Sequence, residues 1–529
     1  MRNLKHLLLA CSMIAAVSIT GCSDDNNPVN TTVPPATNVL ASSISSNSVT
    51  LAWDYADASK ADSFRISRNG TQIASLPVAT RTYTDNTGLT PSTSYTYRVV
   101  AVKGTDVSAE ASLSVMTTAP GSTEKRAILA GNTGTADRTL SKDTIYTIVG
   151  FYLIQPGTKL IIPAGTRLEG DFESKGAIIT VRGTSSLASG QIIAEGTAAE
   201  PIVFTSERPV GQRARGDWGG IVLSGLADLN VTGKTGTGEG GTGAYGPGGS
   251  GVSDPKNDDN SGILRYVRIE YGGTKITSDN EINGLTLNSV GTGTTIEYVQ
   301  AHMIADDGFE WFGGTVNGKY LVSSGNDDDS YDMDFGYSGK LQFIFAIQDP
   351  DLANRGFEID NDATGSDNAP FTGAVISNAT LIGAGKDKAN NEDNDGLYLR
   401  RNNKLKIYNS IVTNFRYGLV IDGSSTKANA EAGELFVKNS VLSGSKGPYL
   451  YKGGAAADLD PIIAAQNWNI STSPVTLTSM TFANPNPIPT GAITVTPATL
   501  GDAFFTSTAY IGAFGTQNWL TGWTNFAKN

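Results

Sequence analysis

An apolar–x–apolar triplet behind a glycine or serine returns down the chain, and this repeat constrains the fold more than any other feature. Gly284 leads Leu285-Thr286-Leu287, Gly308 leads Phe309-Glu310-Trp311, and Ser330 leads Tyr331-Asp332-Met333. Gly356, Gly396 and Gly418 lead Phe357-Glu358-Ile359, Leu397-Tyr398-Leu399 and Leu419-Val420-Ile421. Successive starts are 24, 22, 26, 40 and 22 residues apart. A second strand set runs between them, including Thr295-Ile296-Glu297-Tyr298-Val299, Lys319-Tyr320-Leu321-Val322 and Leu405-Lys406-Ile407-Tyr408. Two interleaved ladders at this period predict a right-handed parallel β-helix, each coil adding one rung to each sheet. Leu, Ile, Phe and Trp then stack inward, because side chains of a strand alternate between its faces. The 40-residue step is one coil with a long loop near 383–394. A propeller would need four strands in about 40–45 residues and fits less well.

The solenoid is expected over 125–450. Its opening strands include Phe151-Tyr152-Leu153-Ile154, Lys159-Leu160-Ile161-Ile162 and Ile202-Val203-Phe204. A solenoid end must be covered, and 451–529 is read as the C-terminal capping region. Its last part, Asp502–Asn529, carries Phe504, Phe505, Tyr510, Phe514, Trp519 and Trp523 to pack onto the last coils. Glycine, 61 of 529 residues, suits turn-dense β architecture better than helix bundles. Several motifs resemble a group of uncharacterised secreted and surface β-helix proteins of Bacteroidetes and related bacteria. They are Gly216-Asp217-Trp218-Gly219-Gly220, Asn280-Glu281-Ile282-Asn283-Gly284 and Asp306-Asp307-Gly308-Phe309-Glu310-Trp311. That resemblance implies a fold and no activity.

Residues 36–118 alternate in short strands with turn signals. Val49-Thr50-Leu51-Ala52-Trp53 runs into a tryptophan, and Phe64-Arg65-Ile66-Ser67-Arg68 runs into the hairpin pair Asn69-Gly70. With Leu89, Pro91, Tyr95, Tyr97 and Val99 spaced as they are, the segment resembles a fibronectin type III domain. The resemblance implies an all-β sandwich serving as spacer or adhesion module.

Arg2 and Lys5 precede a short apolar stretch, Leu7 to Ile19, which reads as an export signal over 1–21. At about 13 residues it falls short of the roughly 20 that span a bilayer. Ile19-Thr20-Gly21-Cys22 resembles the lipobox of bacterial lipoproteins, which implies cleavage before Cys22 and lipid on its thiol. Residues 22–35 form a polar linker. Ser23 directly after the cysteine implies outer-membrane sorting by resemblance, and Ser23-Asp24-Asp25 looks like a surface-export tag.

Composition excludes several chemistries. His6 and His302 are the two histidines, and His6 lies in the signal, so multi-histidine zinc sites are ruled out. His302 alternates with apolar neighbours and reads as a packed or rim residue. Cys11 and Cys22 allow neither a CxxC metal site nor a disulfide framework. The net charge of −12 disfavours nucleic acid, which needs clustered Lys and Arg. The run Gly233–Gly251 holds ten glycines without a P-loop lysine and reads as a flexible loop.

What remains is acidic. Between the inward positions, successive rungs carry Thr286, Glu310, Asp332, Glu358, Tyr398 and Val420, so three carboxylates stack about 5 Å apart. Asp306, Asp307, Asp327, Asp328, Asp329, Asp334, Asp360 and Asp362 lie nearby, flanked by Arg355 and Arg400. Three readings stay open. The ladder is a solvated face of Asx turns; or Glu310, Asp332 and Glu358 hold calcium; or the face is a groove that binds or cleaves sugar. In the last case Glu310 and Asp332 would serve as paired carboxylates and Arg400 as the base of a lyase. The favoured expectation is a non-catalytic, lipid-anchored surface protein that binds a glycan, a cation or another surface protein. A polysaccharide lyase or glycoside hydrolase is the alternative.

Overall fold

The structure is a computed structural model describing residues 33–529 apart from 123, 278, 279, 389, 390 and 392. Cys22 and the signal segment lie outside the described residues. The chain forms an all-β sandwich followed by a right-handed parallel β-helix. In the sandwich, strands Thr37–Ile44, Val49–Asp54 and Thr82–Asp85 form one sheet. Ser63–Arg68 pairs with Thr71–Pro77 and Ser94–Lys103, and the latter with Ala111–Met116, in the other. Trp53, Phe64 and Tyr97 fill the space between them, with Trp53 edge-on to Phe64 at 5.4 Å. The corner is closed by the Tyr95 hydroxyl, which accepts from the Thr90 amide at 2.8 Å.

The β-helix has three parallel sheets. The first stacks Leu285–Asn288, Phe309–Phe312, Tyr331–Asp334, Phe357–Ile359 and Asp395–Leu399, each in register with the next. Leu287, Trp311, Met333 and Ile359 therefore share one inward column and are fully buried, as the repeat predicts. The second and third sheets are two arms of the same long strands, such as Thr295–His302, Asn317–Ser324 and Lys340–Ile347. Each strand bends once, at a residue with positive φ: Tyr266, Tyr298, Tyr320, Phe343, Asn378, Asn409 and Asn439. Left-handed backbone turns the chain without breaking its ladder. Ring stacking in the first four coils, and bonds from the Asn378, Asn409 and Asn439 amides to carbonyls of the returning tail in the last three, compensate a conformation that most residues otherwise avoid. The 40-residue step is lengthened in two places, residues 360–374 as well as 383–394.

Both ends of the solenoid are covered. At the start, the sandwich is more than a spacer. Ile44 pairs with Arg126 of the first solenoid strand, Lys125–Asn132, so the sheet runs on from sandwich to coil. Ile128 is buried in the sandwich core, with Ala130 and Val149 packed against it. At the far end, Leu459, Ile462 and Trp468 join the main core. The remaining tail lies along the side of the helix rather than over its end. It runs back toward earlier coils, Asn439 bonding Thr496, Gln342 bonding Thr506 and Gln300 bonding Asn525. Trp523, Phe514 and Leu520 cover Tyr271, Met303, Val322 and Phe345 in an apolar layer outside the coil. His302 is fully buried beneath this tail, between the Ser324 hydroxyl at 2.9 Å and the Ala527 carbonyl at 2.8 Å. Burial keeps it in the neutral form, which fits the packed role expected of it.

Candidate acidic site on the first sheet

The repeat places three columns side by side on the first sheet. The middle one is the predicted ladder, Thr286, Glu310, Asp332, Glu358 and Tyr398. Two residues further along each strand stand Asn288, Phe312, Asp334, Asp360 and Arg400. Three residues before the ladder position of each rung stand Asn283, Asp307, Asp329, Arg355 and Asp395; the amides of Gly284, Gly308, Ser330 and Gly356, which follow the first four, donate to the carbonyls of Asp307, Asp329, Arg355 and Asp395 in the next coil. The period that builds the core also builds this grid, since each coil contributes the same three positions.

The ladder is not a solvated face. Glu310 and Glu358 are buried and Asp332 is partly buried, because the loops between coils fold over them. Nor do Glu310, Asp332 and Glu358 form one group. Carboxylate oxygens of Asp307, Glu310 and Asp332 lie within 4.8 Å of one another, and so do those of Asp329, Asp332 and Glu358. Asp332 joins the two triads, and each is completed from the upstream column. A third group, Asp306, Asp307 and Asp328, continues the chain of carboxylates. Rung spacing explains the split: Glu310 and Glu358 are two rungs apart, about 10 Å, whereas neighbouring rungs differ by about 5 Å.

Few cations offset this charge. Arg355 Nη1 lies 3.1 Å from Glu358 and its Nη2 3.0 Å from Asp393. Arg400 reaches Glu358 at 2.9 Å and Asp360 at 2.7 Å, and Arg401 also holds Asp360. The arginines therefore serve the Glu358 end. Asp307 accepts the Asp329 amide at 2.8 Å, and Glu310 accepts from the Asn283 amide group. Asp332 faces the carboxylates of Glu310, Glu358, Asp329 and Asp360, with the Arg400 guanidinium as a more distant counter-charge. Burial first, and neighbouring carboxylates second, raise Asp307, Glu310, Asp329 and Asp332 well above the usual carboxylate range; Asp306 is the first such neighbour for Asp307 and Glu239 for Glu310. Burial and Asp328 push Asp306 up to about 8. Burial and Asp360 push Asp334 up to about 8. Glu358 is also raised by burial, with Arg355 and Arg400 opposing.

The glycine-rich run is ordered, contrary to its reading as a flexible loop. Gly236–Gly238 and Gly243–Tyr245 pair as a hairpin whose tip carries Glu239 toward Glu281 and Glu310. Burial and Glu281 push Glu239 up to about 7. The run is held by Arg182, whose guanidinium donates to the carbonyls of Tyr245, Gly246 and Gly248. Gly248 cannot be larger, since a Cβ there would stand 1.9 Å from the Gly233 carbonyl oxygen. Glu239 and Asn283 are not among the candidate site residues of the sequence, although Glu239-Gly240-Gly241 and Asn280–Gly284 are both motifs of the family resemblance. Asn283 shares the upstream position of Asp307 and Asp329, so the repeat extended one residue upstream points to it. Glu239 has no such signal, because a hairpin outside the repeat delivers it. Beyond Glu358 the same face opens into a cleft of about 310 Å³ lined by Tyr398, Arg400, Arg401, Asp422, Thr364 and Ser425.

A family model described as a pectate-lyase like beta helix domain matches residues 131–478, and a fibronectin type III model matches 34–116. None of the curated proteins compared matches the chain. Among solved structures, a Family 28 exopolygalacturonase of Yersinia enterocolitica is similar at 12% identity and a TM-score of 0.17, over 79% of this chain and 84% of that one. The catalytic unit of a GH87 alpha-1,3-glucanase from Streptomyces thermodiastaticus strain HF3-3 is similar at 14% identity and a TM-score of 0.22, over 79% and 80%. Scores this low carry no argument about activity. The family match covers most of the chain and coincides with the coils described above, and the chain belongs to the pectate-lyase-like β-helix family, with a fibronectin type III domain ahead of the helix.

Proposed function

We propose that the protein is a non-catalytic, cation-loaded binding protein of the cell surface. Lipid on Cys22 attaches it to the outer membrane, and the β-helix presents its first sheet to a glycan or another surface protein. The observation that carries the reading is the pair of carboxylate triads sharing Asp332, each spanning no more than 4.8 Å. Two charges at that separation repel by about 3 kcal/mol at an effective dielectric of 20. A hard divalent cation relieves the repulsion and suits an all-oxygen ligand set, which makes calcium the natural occupant. The neighbouring cleft at Tyr398 and Arg400 supplies hydroxyl, guanidinium and carboxylate groups for a sugar.

The test is thermal melting of the protein from residue 23 onward, in calcium and in chelator, beside Asp332→Asn. Calcium should raise the wild-type midpoint by mass action and raise that of the variant much less. An unchanged wild-type midpoint would remove the cation from the reading. A glycan array with and without calcium then tests the binding half.

The polysaccharide-cleaving alternative draws on one observation. Asp306 at about 8 holds a proton at neutral pH, as a general acid must. Release of reducing ends or unsaturated sugars from plant or bacterial polysaccharides, abolished in Asp332→Asn and Glu310→Gln, would favour it.

A further inference from the structure

Three of the bend residues are tyrosines in consecutive coils, and their rings stack. Tyr266 and Tyr298 lie 4.3 Å apart between ring centres with planes 12° from parallel, and Tyr298 and Tyr320 lie 4.2 Å apart at 7°. Register fixes this arrangement. Arg265, Glu297 and Lys319 align just before the three rings, and Val267, Val299 and Leu321 align just after. Positive φ at 49°, 54° and 58° gives all three the same backbone direction. The next ring, Phe343, continues the stack at 4.7 Å but carries no hydroxyl, and asparagines follow at 378, 409 and 439. Among the described residues, these are the two places where tyrosine rings touch.

The surroundings differ from those of a core stack. All three tyrosines remain partly exposed, whereas the inward rings Phe309 and Tyr331 are sealed. Trp523 stands edge-on to Tyr266 and Tyr298 at 5.7 and 6.0 Å, and Trp519 edge-on to Tyr320 at 5.3 Å. Five oxidisable rings thus form one continuous group, in which the three tyrosines and Trp519 are partly exposed and Trp523 is buried. Phenylalanine serves packing equally well in this column, as Phe343 does, so the hydroxyls are not needed to fill space.

We propose that this ladder is an oxidative modification site, at which Tyr298 is joined to Tyr266 or Tyr320 as dityrosine. The co-reactant is a one-electron oxidant, of the kind that peroxide and a metal or light and a photosensitiser generate. Each of two adjacent tyrosines gives up one electron to the oxidant and its phenolic proton to water, leaving two phenoxyl radicals. The radicals form one carbon–carbon bond between ring positions ortho to the hydroxyls. The hydrogen on each of those carbons returns to oxygen as the rings regain aromaticity. The product has lost two electrons and two protons in all, and two equivalents of oxidant are reduced. Radicals held face to face in neighbouring rungs couple faster than they meet another chain. The product is a covalent strut between two coils, placed where the strand bends.

The test is photo-oxidation of the dilute, monomeric protein with a ruthenium tris-bipyridyl complex and persulfate, followed by peptide mapping. The expected result is a cross-linked peptide joining the segment of Tyr298 to that of Tyr266 or Tyr320, lighter than the sum by two hydrogens, together with dityrosine emission. In Tyr298→Phe, Tyr266 and Tyr320 remain two rungs apart, and this intramolecular product is lost. Tyr320→Phe confines it to the Tyr266–Tyr298 pair. Both variants keep the stack, and their melting temperatures check that the fold is retained. A wild-type protein that cross-links only between chains or at other tyrosines overturns the proposal, as does a Tyr298→Phe protein that cross-links as wild type does.

Discussion

Asp334→Asn removes a carboxyl that the fold keeps largely protonated at neutral pH. Its cause is burial, reinforced by Asp360 in the next coil, and the group is pushed up to about 8 from 3.8. The sign of the pH effect follows from proton counts. Between these two values the folded chain binds a proton that the unfolded chain has released, so stability falls as pH rises. One pKa unit corresponds to about 1.36 kcal/mol, and the interval from 3.8 to about 8 therefore sets a ceiling of about 6 kcal/mol on the loss. Water entry and relaxation around an ionised group bring the expected loss to several kcal/mol. Asparagine keeps the shape, and its oxygen can still accept the Phe335 amide as Asp334 does. It has no proton to lose. Urea denaturation of both proteins in chelator, from pH 4 to pH 8.5, measures the difference directly. The variant should match wild type at the acid end and exceed it increasingly toward pH 8.5. A difference that stays constant with pH, or a variant less stable than wild type at pH 8.5, would refute the reasoning and mean that Asp334 is ionised at neutral pH.

Other substitutions probe other levels of the structure. Trp311→Ala should cost about 3–5 kcal/mol in chemical denaturation, the usual range for a buried large aromatic, because the ring packs on Phe309 and Tyr337 at 6.0 and 5.3 Å. A loss below about 1 kcal/mol, the level of a surface substitution, would contradict its inward position. Arg182→Met should leave the fold intact and raise hydrogen exchange across 233–251, since three carbonyls lose their common donor; unchanged exchange would mean that the hairpin holds itself. Cys22→Ala should abolish incorporation of a fatty acid analogue during growth, and labelling equal to wild type would remove the lipid anchor from the proposed function.

Much of this protein is legible without coordinates, because a solenoid repeats its instructions. Periodicity alone determined the sheet register, the inward column through Trp311 and the middle outward column through Glu310, Asp332 and Glu358. Each rung sits in the same environment as the last, so local pattern and tertiary position coincide. The sandwich was legible by resemblance: Trp53, Tyr95 and Tyr97 match core positions of the fibronectin type III family, and the family-model match over 34–116 agrees. The tertiary structure decided whatever depends on segments outside the repeat. It turned a ladder expected to be open or shared by three acids into two largely buried triads meeting at the partly buried Asp332, because the turns bring Asp307 and Asp329 alongside the ladder. A glycine-rich run without periodicity became the hairpin that delivers Glu239. The sandwich joined the solenoid through Ile44 and Arg126, in the sheet that runs on to Ile269 and Ala301 rather than the one that carries the acids, and the tail turned back along the side of the helix. These are contacts between residues far apart in the chain, chosen by burial and charge compensation over the whole fold, and no local spacing encodes them.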